Sequence, residues 1–145
     1  MSYVVIRGPS LEAIAKNVTT EVRQQMERRS YLAANELRNA ALVVLKGQRS
    51  GRRYRVPGTK SYYTASAPGE PPAVRTGAYR SSWQPTALKE GDKYISRIET
   101  EIPYADWLEN GTPGGQMAPR PHHDRIRKQA EPNIVKIYEA PYFNG

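Results

Sequence analysis

The chain has 145 residues and carries 22 Lys or Arg against 14 Asp or Glu, which gives a formal net charge of +8. This length and 38% hydrophobic content predict one domain, 1–145, with a modest core, and the charge favours an acidic partner such as nucleic acid or an acidic protein surface. The absence of cysteine excludes disulfides, thiol catalysis and cysteine-ligated zinc, and no apolar run approaches the roughly 20 residues that cross a bilayer, so no membrane partner is expected.

A short β-rich run opens the chain, and a long helical pattern follows it. Tyr3 to Arg7 predicts a strand that ends at Gly8-Pro9. From Leu11 to Lys46 neither proline nor glycine interrupts the sequence. Apolar residues recur there at helical spacing, namely at Leu11, Ile14, Val18, Val22, Met26, Ala33, Leu37, Ala41 and Val44.

One helix of this length would measure about 54 Å at roughly 1.5 Å per residue. A compact domain of this size has a radius of gyration of about 15 Å, so a straight helix would overhang it. Either the helix bends near Arg28-Arg29-Ser30, which interrupts the stripe, or the excess length packs on neighbouring subunits.

Residues 48–75 form a basic and proline-rich arm with no acidic residue between Lys46 and Glu70. Its cations are interleaved with tyrosines and predict contacts with DNA or an acidic partner: Arg49, Arg52, Arg53, Arg55 and Lys60. The alternative is a solvated loop or hairpin whose charge protects an exposed edge from aggregation.

The arm leads into a connector that starts at Ala65, ends at Thr76 and cannot continue either neighbouring element. Proline removes a backbone donor and biases the preceding residue towards extended conformations, so Pro68, Pro71 and Pro72 predict an ordered extended connector or a mobile arm. Thr76 is a candidate N-cap for a short helix that reaches Trp83.

The second half of the chain predicts a hairpin and two more helices. The hairpin arms are 84–88 and 93–102, joined by the turn 89–92. A short helix, 104–110, stops at Gly111, and a C-terminal helix, 122–138, should be kinked or split at Pro132. Residues 139–145 form a C-terminal tail. The predicted fold class is α+β, with the long and the C-terminal helices packed on a small antiparallel sheet and with long extended loops.

No catalytic, metal or cofactor site is expected, so the chain is not predicted to be an enzyme. Adjacent residues on a helix point about 100° apart, so His122 and His123 should not share a metal-binding face. His122-His123-Asp124 instead predicts a helix start, with Asp124 at the positive end of the helix dipole. Glu99 and Glu101 are best explained as a solvated strand face.

Three motifs in fixed order resemble those of a known family. They are Ser-Ala-Pro-Gly-Glu-Pro-Pro-Ala-Val-Arg-Thr-Gly at 66–77 followed by Arg80 and Ser82, Tyr104-Ala105 followed by Leu-Glu-Asn-Gly-Thr at 108–112, and Met-Ala-Pro-Arg-Pro at 117–121. In this order, after a long amphipathic helix, they resemble the bacteriophage neck family of tail-completion, or head–tail joining, proteins of long-tailed phages. The resemblance covers roughly 11–138. Three packing positions depart from the pattern: Tyr79 stands where leucine is common, Asn110 where an aromatic residue is common, and His122 where phenylalanine is common.

The resemblance implies a non-catalytic virion protein of the phage neck, assembled in the host cytoplasm. Copies would form a ring, expected to be a hexamer, that binds connector or head-closure proteins and tail terminator or tail tube proteins. DNA passing through the channel would explain the basic arm. The motif residues that would contact subunits or partners are Pro68, Glu70, Pro71, Arg75, Gly77, Arg80, Tyr104, Glu109, Gly111, Thr112, Arg120 and Pro121. The alternatives are a tail terminator or another connector ring, and, more distantly, a small basic nucleic-acid-binding protein.

Overall fold

Two long helices pack on one face of a small antiparallel sheet, so the α+β prediction is confirmed. The computed structural model describes residues 2–11, 20–47, 49–55, 57–74 and 77–142. In chain order the elements are β1 (Ser2–Arg7), α1 (Thr20–Val44), β2 (Arg53–Arg55), β3 (Tyr62–Thr64), α2 (Ala78–Ser81), β4 (Gln84–Glu90), β5 (Lys93–Thr100), α3 (Ala105–Asn110) and α4 (His123–Glu139).

The main sheet has the order β1-β5-β4 with both pairings antiparallel. Ile98 at its centre pairs with Val4 on one side and Pro85 on the other. The β4–β5 ladder extends to the pair Glu90 and Lys93, so the turn is only Gly91-Asp92. Gly91 has a φ of 61°, which a two-residue hairpin turn requires and which glycine adopts without steric cost.

The inward face of β5 is the one that carries Tyr94, Ser96 and Ile98. These side chains are buried beneath the helices, and the alternating charged positions lie on the opposite face. There Arg97 and Glu99 form an ion pair at 3.2 Å. The alternation in the sequence therefore predicted the strand, and burial identifies which of the two alternating sets of residues faces the core.

The buried stripe of α1 is continuous where the sequence seemed to interrupt it. Ser30 is fully buried, donates to the carbonyl of Glu27 at 2.7 Å, and accepts through its own carbonyl a bond from Ser96 Oγ at 2.7 Å. The helix therefore runs without a break from Thr20 to Val44. The predicted stripe is confirmed within this range, whereas Ile14 and Val18 lie outside the described residues.

Helix α4 packs against α1 and continues through Pro132, so of the kink or split that the sequence predicts there, the split does not occur. Pro132 faces solvent, where water can satisfy the carbonyl that loses its intrahelical donor. The C-terminus of α4 is capped from α1, because the Arg29 guanidinium donates to the carbonyls of Ile137, Ala140 and Pro141 at 2.7–2.9 Å. No helix of the described ranges is long and apolar enough to cross a membrane.

The core lies between the sheet and the two long helices, and the fully buried Trp83 belongs to it. The same cluster contains apolar side chains from both helices and from β1 and β5. At one end of this core, α2 and the start of α4 contact Trp83, because the rings of Tyr79, His122 and His123 lie within 6.5 Å of the indole. The three sequence motifs meet at that end.

Candidate functional site

The proline-rich connector is ordered against its own chain. Ala67 to Glu70 form a turn in which the Glu70 amide donates to the Ala67 carbonyl at 3.0 Å. Gly69 has a φ of 87°, so Pro68-Gly69 fits the central positions of a type II turn. Pro71 and Pro72 follow and are buried. Within the described residues, the connector therefore packs on its own chain.

Arg49 fastens the connector to the end of α1. Its Nε donates to the Pro71 carbonyl at 2.8 Å, and its Nη2 donates to the Val44 and Pro72 carbonyls at 2.9 and 3.3 Å. The Glu70 carboxylate accepts from the amides of Ala67 and Ser50, and these bonds lower the pKa of Glu70. Arg49, predicted as a partner contact, thus lies in an internal clamp.

The third motif holds the connector from the opposite side. Arg120 Nε donates to Ser66 Oγ at 2.8 Å, and the Gly69 amide donates to the Pro119 carbonyl at 3.2 Å. Arg125 on α4 reaches the Gly69 carbonyl at 3.2 Å. Pro121 is exposed and leads directly into α4. Motifs that are far apart in the sequence therefore contact each other directly.

The second motif forms a tight loop between α3 and α4. Gly111 has φ 82° and ψ 170°, a region open essentially only to glycine. A Cβ there would lie 2.9 Å from the Met117 carbonyl oxygen. Thr112 closes the loop, because its Oγ1 accepts from the Met117 amide at 2.9 Å. The Arg120 amide then donates to the Leu108 carbonyl at 2.7 Å.

Together the motifs line a groove of about 460 Å³, which we call the motif groove. Arg80 fixes one wall, because its Nε donates to the Leu42 carbonyl near the end of α1. Val74 and Tyr104 line the groove and remain 40% and 43% exposed, and Trp107 on α3 is 50% exposed. The full lining is Leu45, Tyr63, Ala65, Ser66, Pro72, Ala73, Val74, Gly77, Tyr79, Arg80, Tyr104, Leu108, Met117 and Arg120.

Two residues at the end of the connector lie outside the described residues: Arg75 and Thr76, the predicted cap of α2. The N-cap position is occupied by Gly77, which has a φ of 84°. Gly77 also lines the motif groove.

Glu109, His122 and His123 form a titratable cluster beside this groove. Each offers one potential metal-ligand atom, and these atoms lie within 4.8 Å of one another. His122 Nδ1 is 2.9 Å from Glu109 Oε2, and His123 Nδ1 is 3.9 Å from Glu109 Oε1. The expectation that the adjacent histidines diverge was wrong, because His122 is not helical: it is the N-cap of α4, with φ −145° and ψ −15°.

The cluster is electrostatically tuned by its surroundings. Burial alone would raise the pKa of Glu109, but the side-chain and backbone hydrogen bonds from His122 outweigh it and lower the pKa to about 2. Burial lowers the pKa of His123 against the attraction of Glu109. The Glu109 carboxylate also accepts the amides of His122 and His123 at 2.7 and 3.3 Å, which satisfies two free donors at the start of α4.

Tyr79 completes the cluster from α2, and sequence reasoning did not identify this contact. Its hydroxyl lies 2.5 Å from His122 Nε2, and its ring meets the imidazole edge-on. Burial raises the pKa of Tyr79 well above its usual range, so its hydroxyl stays protonated. His122 itself has no exposed surface.

The basic cluster occupies a separate two-stranded hairpin made of β2 and β3. Arg52, Arg53, Arg55 and Lys60 are all exposed, and Val56 lies outside the described residues. The guanidinium of Arg53 lies 4.6 Å from the Tyr62 ring centroid. This is the hairpin that the sequence left as an alternative, and it presents both cations and aromatic faces to solvent.

Comparisons with protein-family models, with curated proteins and with solved structures found no significant match to this chain.

Proposed function

We propose that this chain is a structural protein of the neck of a long-tailed bacteriophage, where copies form a ring that joins the head to the tail. The observation that carries the proposal is the convergence of the three motifs on one groove. Residues from all three motifs line it, although they span positions 66–121. A set of separate motifs that builds one partly apolar surface is better explained by assembly than by isolated local turns.

The motif groove is suited to receive a neighbouring subunit. Its walls are held by arginine-to-carbonyl bonds at Arg49, Arg80 and Arg120, so little ordering would accompany binding. Exposed Val74 and Tyr104 supply apolar contact area. A groove on one face that receives a different face of the next copy is a heterologous contact, and such contacts close into rings when the rotation permits.

The chain would act by binding alone, at the head–tail junction of the virion. Its neighbours would be connector or head-closure proteins on one side and tail terminator or tail tube proteins on the other. A tail terminator or another connector ring is the alternative within the same class of protein.

The ring is tested with a groove variant and a matched surface control. Tyr104→Ser removes an exposed groove aromatic and keeps the start of α3, since serine is favoured at an N-cap. Tyr31→Ser removes a tyrosine of similar exposure, 49%, on α1. Light scattering and electron microscopy, with and without purified phage tails, should show rings for wild type and Tyr31→Ser but not for Tyr104→Ser. Equal assembly of both variants would reject the groove as the contact.

The β2–β3 hairpin favours a second candidate function, contact with DNA, in the channel or as a free nucleic-acid-binding protein. Its exposed arginines and tyrosines supply phosphate contacts and stacking faces. Arg52→Glu with Arg53→Glu removes two exposed cation–π contacts and should leave the free energy of unfolding within about 2 kcal/mol of wild type. DNA affinity, followed by fluorescence anisotropy across salt concentrations, should fall and lose about two units of log–log salt slope. A monomer that binds DNA steeply with salt and never forms rings would replace the first proposal with the second.

A further inference from the structure

We propose that Glu109, His122 and His123 form a binding site for a divalent transition metal ion, with Zn²⁺ as the ion that best fits the donors. The inference does not depend on the proposed neck function. Two imidazoles and one carboxylate are the donor set that Zn²⁺ uses where three protein ligands leave a further position open. Among the described residues, Glu109, His122 and His123 are the histidine and carboxylate side chains whose potential ligand atoms all lie within 4.8 Å of one another.

The distances are close to those that a bound ion requires. Zn–N and Zn–O bonds of about 2.0–2.1 Å in a tetrahedron place neighbouring ligand atoms about 3.3 Å apart. His122 Nδ1 and His123 Nδ1 lie 2.9 and 3.9 Å from the two Glu109 oxygens. Shifts of about 0.4 and 0.6 Å would bring these two pairs to the metal-bound separation. The three ligand atoms lie within 4.8 Å of one another, so the widest pair would close by up to about 1.5 Å when an ion binds.

Tyr79 supplies the second-sphere partner that His122 would need as a ligand. A ligating histidine usually passes its other ring N–H to a fixed partner. Ligation of His122 through Nδ1 would replace the hydrogen bond that this nitrogen makes to the Arg120 carbonyl at 2.7 Å. The ring proton would then lie on Nε2, where the Tyr79 hydroxyl at 2.5 Å can accept it. His123 Nε2 is buried and has no hydrogen-bond partner within the described part of the chain. An ion held with Glu109 would bind this ring through Nδ1, the nitrogen that faces the carboxylate, and would leave Nε2 without a protein partner among those residues.

The cluster is reachable from solvent. Glu109 and His123 side chains retain 16% and 17% exposure, which leaves a route for the ion. The bound ion would tie α3 to the first turn of α4 and so hold the 111–121 loop that lines the motif groove.

The test is titration of the tag-free, chelator-treated full chain with zinc chloride at neutral pH, followed by isothermal calorimetry. Wild type should bind one ion per chain. His123→Ala and Glu109→Gln should each weaken binding more than about 100-fold, beyond a second-sphere effect, and Tyr79→Phe should weaken it by about 10–100-fold. Asp124→Asn, which removes an adjacent carboxylate with an 84% exposed side chain, should bind like wild type.

Circular dichroism in excess chelator keeps folding separate from binding. Each variant should show the wild-type helical signal without metal, so that lost affinity reports the lost ligand. His122→Ala is not used, because His122 is fully buried and its loss would disturb the core. Absence of one-to-one binding by wild type, or wild-type affinity in either His123→Ala or Glu109→Gln, would overturn the site.

Discussion

Removal of the Arg49 guanidinium should destabilise the whole chain, although the side chain lies in a segment that reads as a surface arm. In Arg49→Ala, the carbonyls of Val44, Pro71 and Pro72 lose charged donors at 2.8–3.3 Å. A hydrogen bond to a charged group contributes about 1.5–3 kcal/mol, and partial exposure reduces the sum of several. We expect a loss of about 2–3 kcal/mol in the free energy of unfolding.

Denaturant unfolding followed by tryptophan fluorescence measures this loss. At about 2–4 °C per kcal/mol for a chain of this size, Tm should fall by about 5–10 °C. Arg49→Lys keeps the charge but loses the planar fork, so it should recover only part of the difference. Arg53→Ala is the matched control, since Arg53 is exposed and stacks on Tyr62. It should cost about 1 kcal/mol or less. A free energy for Arg49→Ala within 0.5 kcal/mol of wild type, roughly the effect of an ordinary surface substitution, would refute the clamp.

Three further predictions concern the loop and the buried cluster. Gly111→Ala should lower the free energy of unfolding by about 2–4 kcal/mol in chemical denaturation, because the new Cβ would lie 2.9 Å from a backbone oxygen in a conformation that only glycine adopts easily. Gly115→Ala is the control: its φ is 73° but the space around it is open, so it should cost only about 1 kcal/mol. Equal costs would contradict the steric argument. The pKa of Glu109 is lowered to about 2, so the carboxylate contributes its full stabilisation above the ordinary value of 4.5 and loses it as the pH falls from there towards 2. In the presence of chelator, wild type should lose about 1–2 kcal/mol of its free energy of unfolding over that pH window, after allowance for solvent screening. Glu109→Gln should show a flatter dependence of stability on pH. Tyr79→Leu and His122→Phe should each lower the free energy of unfolding by about 1–3 kcal/mol. In a double-mutant cycle, the double variant should cost less than the sum of the two single variants by about 0.5–3 kcal/mol. Simple additivity would mean that the two groups are not coupled.

The sequence predicted the elements well because their signals are local. Alternating residues predicted β5, apolar residues at helical spacing predicted the buried stripe of α1, and Gly111 predicted the end of α3. Periodicity did not identify Ser30 as a core residue, since a serine looks like an interruption of an apolar stripe. Its burial depends on Ser96, which lies 66 residues away and donates to its carbonyl. Such a partner is visible only once the sheet is placed on the helix.

The connector shows the same division between local and distant causes. Its prolines and Gly69 specify an extended segment with a tight turn, and that much can be read from the residues. What holds the segment in place comes from elsewhere: Arg49 lies 22 residues before Pro71, and Arg120 lies 54 residues after Ser66. A basic residue in an unstructured stretch offers no local sign that its donors will be used on backbone carbonyls.

The sequence did not predict that the two histidines come together, because the 100° spacing of helical residues was applied to His122, which lies before the helix begins. His122 precedes the first helical residue, so its backbone is free to turn the imidazole towards Glu109 and Tyr79. Tyr79 and His122 are also two of the three positions that depart from the resemblance, where leucine and phenylalanine are common. In this fold the departures touch each other at 2.5 Å. A buried hydroxyl or imidazole alone would lose hydrogen bonds to water, whereas the two together satisfy each other. The two residues are therefore best understood as one coupled polar pair, and a phenylalanine at position 122 would supply no ligand atom beside Glu109.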